Sequence, residues 1–450
     1  MREVRPDRHW WRSKDGLGLV AGSPGTFFRV TEKGARVLDS ATGGGPVAEP
    51  PLLDRLIAGG AVHPVPGTPV PAGQLTVVIP CFARDAGAVG RVQKLVEALA
   101  PLQVIVVDDA SPFPVSVQGA TVVRRGENGG PGAARNTGLE QVSTPCVAFV
   151  DDDVHTVAGD ILRLTGHFTD PNVAMVAPRI VTPAGRGFIA EYETVGSRLD
   201  MGTEPARVRP GSVVPYVPTA VLVARTSAMT ARFDPGMRTG EDVEFVWRTQ
   251  DDSAQCRYEP QVQAEHTARP SWTGFFSQRF SYGRSAADID ARIPWSVAPV
   301  RGHILHFLPL ALLLCGQSLW ALDALFLSAA FSMFTLRGMG LRGRDRLAIA
   351  ALSVSTASRH LATAVSREWW PLFVVLSGVT VNVQVAFVFC VAGLLLADVY
   401  RVRPQNIGMF VPLRILDNLA YGAGVWAGAV RRRSLRCLLP RFSVWRRRAG

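Results

Sequence analysis

The sequence predicts an α/β fold: a mainly parallel sheet covered by helices on both faces, with a small N-terminal module and a hydrophobic helical C-terminal region. Three observations predict it. From Leu75 to about Trp295, apolar strand-like runs alternate with helical segments, the pattern of strands buried on both faces. Two of those runs end in aspartates, Asp108/Asp109 and Asp151 to Asp153. The last third of the chain holds long stretches almost free of charge, within a chain of 450 residues that is 47% hydrophobic. That length predicts two or three domains.

Residues 1–63 read as the small module. "WWRSKDGLGLVAGSPGTFFRV" has strand-like segments broken by Gly and Pro turns, and "TEKGARVLDSA" is a short helix with Thr31 as its cap. In "PLLDRLIAGG", Leu52, Leu53, Leu56 and Ile57 share one helical face before Gly59 and Gly60 end it. A strand pair with two short helices is a winged-helix-like arrangement. The Pro/Gly-rich stretch "PVPGTPVPAG", residues 64–73, then reads as a linker.

Residues 74–300 carry the alternation. "LTVVIP" is an apolar strand, "VGRVQKLVEALA" an amphipathic helix with Val92, Leu95, Val96 and Leu99 on one side, and "QVIVVDDAS" a second buried strand. "GPGAARNTGLEQV" opens a helix after glycines, and "CVAFVDDD" is a third strand. In such sheets ligands gather at the carboxyl ends of the strands, so both acidic clusters fall on one rim.

Residues 301–430 are the hydrophobic region. Ile304 to Leu336 is interrupted only by His306 and Asp323, and Trp370 to Ala397 has no charge over 28 residues. A span needs roughly 20 apolar residues, so the second stretch predicts one membrane helix anchored by Trp369 and Trp370. The segment from Arg337 to Arg367 carries six arginines (Arg337, Arg342, Arg344, Arg346, Arg359 and Arg367) and reads as a cytosolic loop. A hairpin through Ile304 to Leu336 and a return through residues 407–430 would keep that loop and the tail, residues 431–450, inside. The tail has eight arginines and no acid, and the net charge is +11. Nucleic acid and an anionic membrane leaflet both suit such a tail; the neighbouring apolar segments favour the leaflet, so nucleic acid is not expected as a partner.

Six cysteines without a CxxC or short even spacing signal neither a zinc site nor a disulfide framework. "MREVRPDRHWW" has no apolar h-region, so no cleaved secretory signal is expected. The expected location is the cell membrane, with the α/β domain on the cytoplasmic side.

The chemistry gathers in a few short motifs. In "VDDAS" a carboxylate at a strand end can accept the N3–H of a uracil or a ribose hydroxyl, or can cap an Asx-turn. "ENGGPGAARNTGL" sets Gly129, Gly130 and Gly132 ahead of Arg135, where backbone can approach a ligand and a guanidinium can neutralise phosphate. In "FVDDDV", Asp151 and Asp153 point to one side of an extended chain and can converge on a cation, while Asp152 points elsewhere. "RTGEDVEFVWR" puts Glu241 and Asp242 at a helix start, as caps or with one as general base. His266 in "AEHTARP" can join a metal site or be structural.

In this order "VVIPCF", "VVDDAS", "ENGGPGAARNTGL", "FVDDD", "GEDVEFVWR" and the late "EH" closely resemble the family 2 inverting glycosyltransferases of the GT-A type, over about 200 residues. The resemblance implies a Rossmann-like mixed sheet and a nucleotide-sugar donor. It places Pro80, Asp108, Asp109, Arg135 and Asp151 on the donor side and Asp153, Asp151 and His266 around Mg2+ or Mn2+, with Asp242 as base. "QRFSYGRS" resembles the segment that closes over donor and acceptor, which assigns Arg279 and Gly283 to the acceptor side together with Glu241 of "GEDVEFVWR"; it lacks the QxxRW pattern of the cellulose synthases. The N-terminal "VTEKGARVLDSA" is similar to PqqD-like peptide-recognition domains. That module fused to a family 2 domain and a hydrophobic end resembles the mycofactocin system glycosyltransferases of actinobacteria, which implies hexose transfer, with glucose from UDP, onto a peptide-derived redox cofactor. Competing readings are a transferase acting on a cell-envelope lipid or polysaccharide, a nucleotidyltransferase, and a membrane scaffold with an inert domain. Intact Asp151, Asp153 and Asp242 speak against the scaffold.

Overall fold

The structure, a computed structural model, describes residues 2–43, 50–267 and 271–442. It forms two compact units, one of Met1–Trp10, Val20–Thr26 and Thr31–Ala268, the other of Trp11–Leu19, Phe27–Val30 and Arg269–Gly450.

Four short strands come first: β1 (Val4–Pro6), β2 (Trp10–Arg12), β3 (Gly18–Ala21) and β4 (Thr26–Arg29), the last three forming a sheet in that order. Helix α1 (Glu32–Thr42) starts as expected at Thr31, whose side chain accepts the Gly34 N–H, and it buries Val37, Leu38 and Ala41. Helix α2 (Pro50–Ala58) buries Leu53, Leu56 and Ile57. Strand β5 (Val62–Pro64) pairs antiparallel with β1. The Pro/Gly segment that follows is docked: Gly67 N–H donates to Gly166 O at 2.9 Å and Val70 N–H to Thr165 Oγ1 at 2.9 Å.

The main sheet has nine strands. Strands β6 (Leu75–Cys81), β7 (Gln103–Asp108), β8 (Thr121–Arg124) and β9 (Cys146–Val150) run parallel in the order β9-β6-β7-β8. Helices α3 (Ala86–Ala98) and α4 (Pro131–Leu139) lie on the connections. Alternate residues go to opposite cores: Val77, Ile79, Val104 and Val106 to one, Val78, Ile105, Val107 and Phe149 to the other. Then follow β10 (Val154–His155), α5 (Ala158–Thr165), β11 (Val173–Val181), α6 (Phe188–Gly196), β12 (Ala206–Arg207), β13 (Val221–Arg225), α7 (Glu241–Thr249) and β14 (Gln255–His266). The sheet continues past β9 as β13, β11, β14 and β10, with β12 also on β14. Because β13 is antiparallel to both β9 and β11, the sheet is mixed. Strand β6 has β7 on one side and β9 on the other, so the strand order reverses at β6, the place where ligands gather at the carboxyl ends of such sheets.

The second unit is helical: α8 (Trp272–Arg292), α9 (Leu308–Leu314), α10 (Ser318–Thr335), α11 (Gly343–Arg367), α12 (Trp370–Ser377), α13 (Val381–Val402) and α14 (Ile407–Arg432). Helices α8 and α14 touch backbone to backbone. A Cβ on Gly283 would overlap the Tyr421 carbonyl oxygen, and one on Gly424 the Phe280 carbonyl oxygen. A buried charge chain ties four helices together. Arg359 pairs with Asp398 at 2.8 Å, Arg414 with the same carboxylate at 2.7 Å, and Arg279 with Asp417 at 3.2 Å.

Two expectations are corrected here. The stretch from Trp370 to Ala397 is not one helix, because Gly378 ends α12 and the Thr380 side chain caps α13 by accepting the Val383 N–H. The arginine-bearing segment after Arg342 is not a loop but the 25-residue α11, which buries Ile349, Ala350, Leu361, Ala364 and Val365. Among the described residues two helical segments, Ser318–Met339 and Val381–Val402, are long and apolar enough to cross a membrane. The arginines of the tail beyond residue 442 lie outside the described residues.

Candidate active site

The rim of the parallel strands is built from turns that follow each strand. Strand β7 ends at Asp108, whose Oδ1 accepts the Ser111 N–H at 2.8 Å while Oδ2 pairs with Arg124. Asp109 is 3% exposed and receives the N–H groups of Gly129 at 3.0 Å and Gly130 at 2.7 Å, with Arg125 Nε at 2.8 Å. Asp108 thus fills the turn-capping role, and Asp109 pins the glycine-rich turn. Gly130 needs its glycine: φ is +86°, and it caps the N-terminus of α4. Pro80 sits inside β6 opposite Val107.

Arg135 leaves α4 into the interior and is 2% exposed. Its Nη1 donates to Glu241 Oε1 at 2.8 Å, its Nη2 to Asp151 Oδ1 at 2.6 Å, and its guanidinium lies over the Phe233 ring at 5.5 Å. One buried cation therefore joins the end of β9 to the start of α7. Burial opposes the charge on Arg135, but Asp151 and Glu241 outweigh it and push its pKa up. Burial raises the Glu241 carboxyl, as does neighbouring Asp242, while Arg135 pulls it back. Asp151 is likewise raised by burial against Arg135. Asn136, the next residue on α4, exchanges two hydrogen bonds with Phe233, at 2.8 and 2.9 Å.

The three aspartates lie in a turn, closed by the Val154 N–H donating to Asp151 O at 3.2 Å, and not on the extended chain expected from sequence, yet Asp152 still separates from the other two. Asp152 turns toward Cys81, and burial followed by Asp153 and Asp151 pushes its carboxyl up to about 6. Asp153 meets His266, with Oδ2 and Nε2 3.3 Å apart, because Val154 pairs with His266 across β10 and β14. Asp151 is committed to Arg135, and its side chain stays 30% exposed. Among the described residues no group of three His, Cys, Asp or Glu side chains is placed to hold a metal ion. The triad expected from sequence is therefore a carboxylate–imidazole pair, whose oxygen and nitrogen donors fit Mn2+ and whose carboxylate fits Mg2+.

Asp242 stands in the first turn of α7, half-buried. Its Oδ2 accepts the Thr219 N–H at 3.3 Å and its Oδ1 the Val243 N–H at 2.8 Å. Thr219 escaped sequence reasoning because only the pairing of β13 with β9 brings it here: Asp151 N–H donates to Ala220 O at 3.0 Å. Phe233 escaped likewise, since the loop before α7 holds no motif. Arg279 and Gly283 lie in the interior of α8 in the other unit, Arg279 on Asp417 and Gly283 against α14.

Comparison with known proteins follows the same geometry. The family model described as Glycosyl transferase family 2 matches residues 76–228, which hold Pro80, Asp109, Arg135, Asp151 and Asp153. The pre-mycofactocin glycosyltransferase of Mycobacterium tuberculosis (strain ATCC 25618 / H37Rv) is 34% identical over 466 residues, covering 98% of this chain and 97% of the relative. The succinoglycan biosynthesis protein ExoW of Rhizobium meliloti (strain 1021) is 42% identical over 98 residues, 18% of this chain and 30% of that protein. Among solved structures, the mannosyltransferase PcManGT from Pyrobaculum calidifontis in complex with GDP-Man and Mn2+ aligns at 18% identity and a TM-score of 0.39, covering 66% of this chain and 89% of that one. The chain belongs to the family 2 glycosyltransferases, with a GT-A-type mixed sheet, and resembles the pre-mycofactocin glycosyltransferase along nearly its whole length.

Proposed function

We propose that this glycosyltransferase is an inverting hexosyltransferase that moves glucose from UDP-glucose to a hydroxyl of the peptide-derived cofactor mycofactocin, working at the cytoplasmic face of the cell membrane. The observation that carries the reading is the rim itself: Arg135 joins Asp151 to Glu241, and Asp242 follows Glu241 in the chain as a single carboxylate available to an acceptor. The near full-length relative named for pre-mycofactocin supports the acceptor. Residues 1–63 then serve as the peptide-recognition module.

Asp242 takes the proton from the acceptor hydroxyl. The N–H groups of Thr219 and Val243 fix its orientation. The acceptor oxygen forms its bond to the anomeric carbon from the face opposite the diphosphate, the anomeric C–O bond breaks, and UDP leaves with the electron pair. One carboxylate on the acceptor side suffices, and the configuration inverts. Pro80, Asp108 and Asp109 frame the donor side. Arg135 is a positioning residue that acts through Asp151 and Glu241. Asp153 and His266 would hold Mg2+ or Mn2+, which when bound neutralises charge on the departing diphosphate.

Incubation with labelled UDP-glucose and mycofactocin precursor tests this. Free UDP together with labelled acceptor is expected. Release of UMP or glucose 1-phosphate would instead indicate attack at phosphorus, and transfer to lipid alone would shift the acceptor to the cell envelope.

A further inference from the structure

We propose that the second unit docks on an anionic phospholipid bilayer by inserting the joined tips of two helical hairpins into one leaflet, without crossing it. This deepens the membrane part of the reading above and rests on it. In each hairpin a short helix turns back into a long one through three residues: α9 into α10 by Cys315 to Gln317, and α12 into α13 by Gly378 to Thr380. The two tips meet, since a Cβ on Gly316 would come 2.6 Å from the Asn382 amide nitrogen. Neither tip carries a charge: no Asp, Glu, Lys or Arg occurs from Leu308 to Leu322 or from Trp370 to Ala397. Large apolar side chains around them are bare, with Leu319 80%, Val379 74% and Val375 71% exposed.

The short arms set the depth. Helix α9 has 7 residues and α12 has 8, about 10 and 12 Å of rise, against about 15 Å for half of a hydrocarbon core. The bases of both arms are tied to polar structure that hydrocarbon would not accept. Trp369 Nε1–H donates to Leu438 O at 2.8 Å, Trp426 Nε1–H to Glu368 O at 2.7 Å, and the Phe307 ring rests edge-on against Phe442 at 4.8 Å. Near those bases Leu435, Leu439 and Phe442 are exposed, as are Arg433 and Arg441, and residues 431–442 contain no acid. Apolar side chains alternating with arginines match an anionic headgroup layer. The far halves of α10 and α13, which end near Arg337 and Arg401, remain on the aqueous side.

The test uses the full-length protein with vesicles of phosphatidylcholine and phosphatidylglycerol. Wild type is expected to sediment with the vesicles. Val375→Asp and Leu319→Asp at the tips should weaken binding about 10- to 100-fold, whereas Leu396→Lys, on the far half of α13, should change it less than about 3-fold. An environment-sensitive dye on Cys315, which is exposed at the tip, should be quenched by lipid-borne quenchers and should be unreachable from the vesicle lumen. Labelling of Cys315 by a reagent trapped in the lumen, or a loss for Leu396→Lys equal to that of the tip variants, would overturn single-leaflet insertion while leaving membrane binding intact. Absence of wild-type binding would overturn the membrane reading itself. Equal binding to vesicles of phosphatidylcholine alone would overturn the anionic preference.

Discussion

Arg135 is the residue on which the rim depends. It is a buried cation holding two carboxylates on separate elements, and removing one partner from such a group leaves the others uncompensated. Arg135→Met should therefore lower stability by about 3–5 kcal/mol in thermal or denaturant unfolding and reduce kcat more than donor KM. Asp153 and Asp152 should separate cleanly. Asp153→Ala should abolish the response of activity to added Mn2+, while Asp152→Asn, whose side chain faces Cys81, should retain activity within a few-fold of wild type. The sequence set Asp152 apart from its neighbours and put Asp242 in the first turn of a helix, but it took the aspartate triplet for an extended chain where the fold makes a turn. That Arg135 pairs with Asp151 and Glu241 was not legible, because those contacts span 16 and 106 positions of chain. A guanidinium after a glycine-rich turn reads as a phosphate ligand until its burial is known.

At the scale of elements, helices α8 and α14 depend on glycine where their backbones meet. Gly424→Ala would drive a methyl group into the Phe280 carbonyl. Overpacking of this kind should cost about 1–3 kcal/mol or more, read as a lowered melting temperature. Strand β5 carries a pH dependence. His63 is 6% exposed and bonded to Asp7 at 3.1 Å; burial outweighs Asp7 and holds the imidazole below its usual 6.5. A depressed histidine binds fewer protons in the folded state than in the unfolded one, so its stabilisation is complete above about pH 6.5 and is lost as pH falls through the folded value. Melting temperatures measured across that window should fall toward acid, and His63→Gln should flatten the slope. Strand and helix identities were legible where periodicity was strong, as in β6, α3, β7 and β9. The antiparallel β13 was not, because nothing in "AVLVAR" states its direction. The break between α12 and α13 was hidden by a continuous apolar run, although Gly378 and Thr380 carried the local signal for it. Helix α11 was masked by its arginines, which sit at its ends and on one side of a buried apolar face.

The whole molecule joins a family 2 glycosyltransferase unit to a helical unit with bare apolar hairpins. The catalytic reading belongs to the first unit alone, and its central claim is that Asp242 is the base for transfer. The most direct measurement is turnover of labelled UDP-glucose by wild type and by Asp242→Asn, with donor binding followed in parallel by UDP titration. Asp242→Asn should bind donor as wild type does and lose about 10²- to 10⁴-fold in transfer; transfer at the wild-type rate would contradict the assignment.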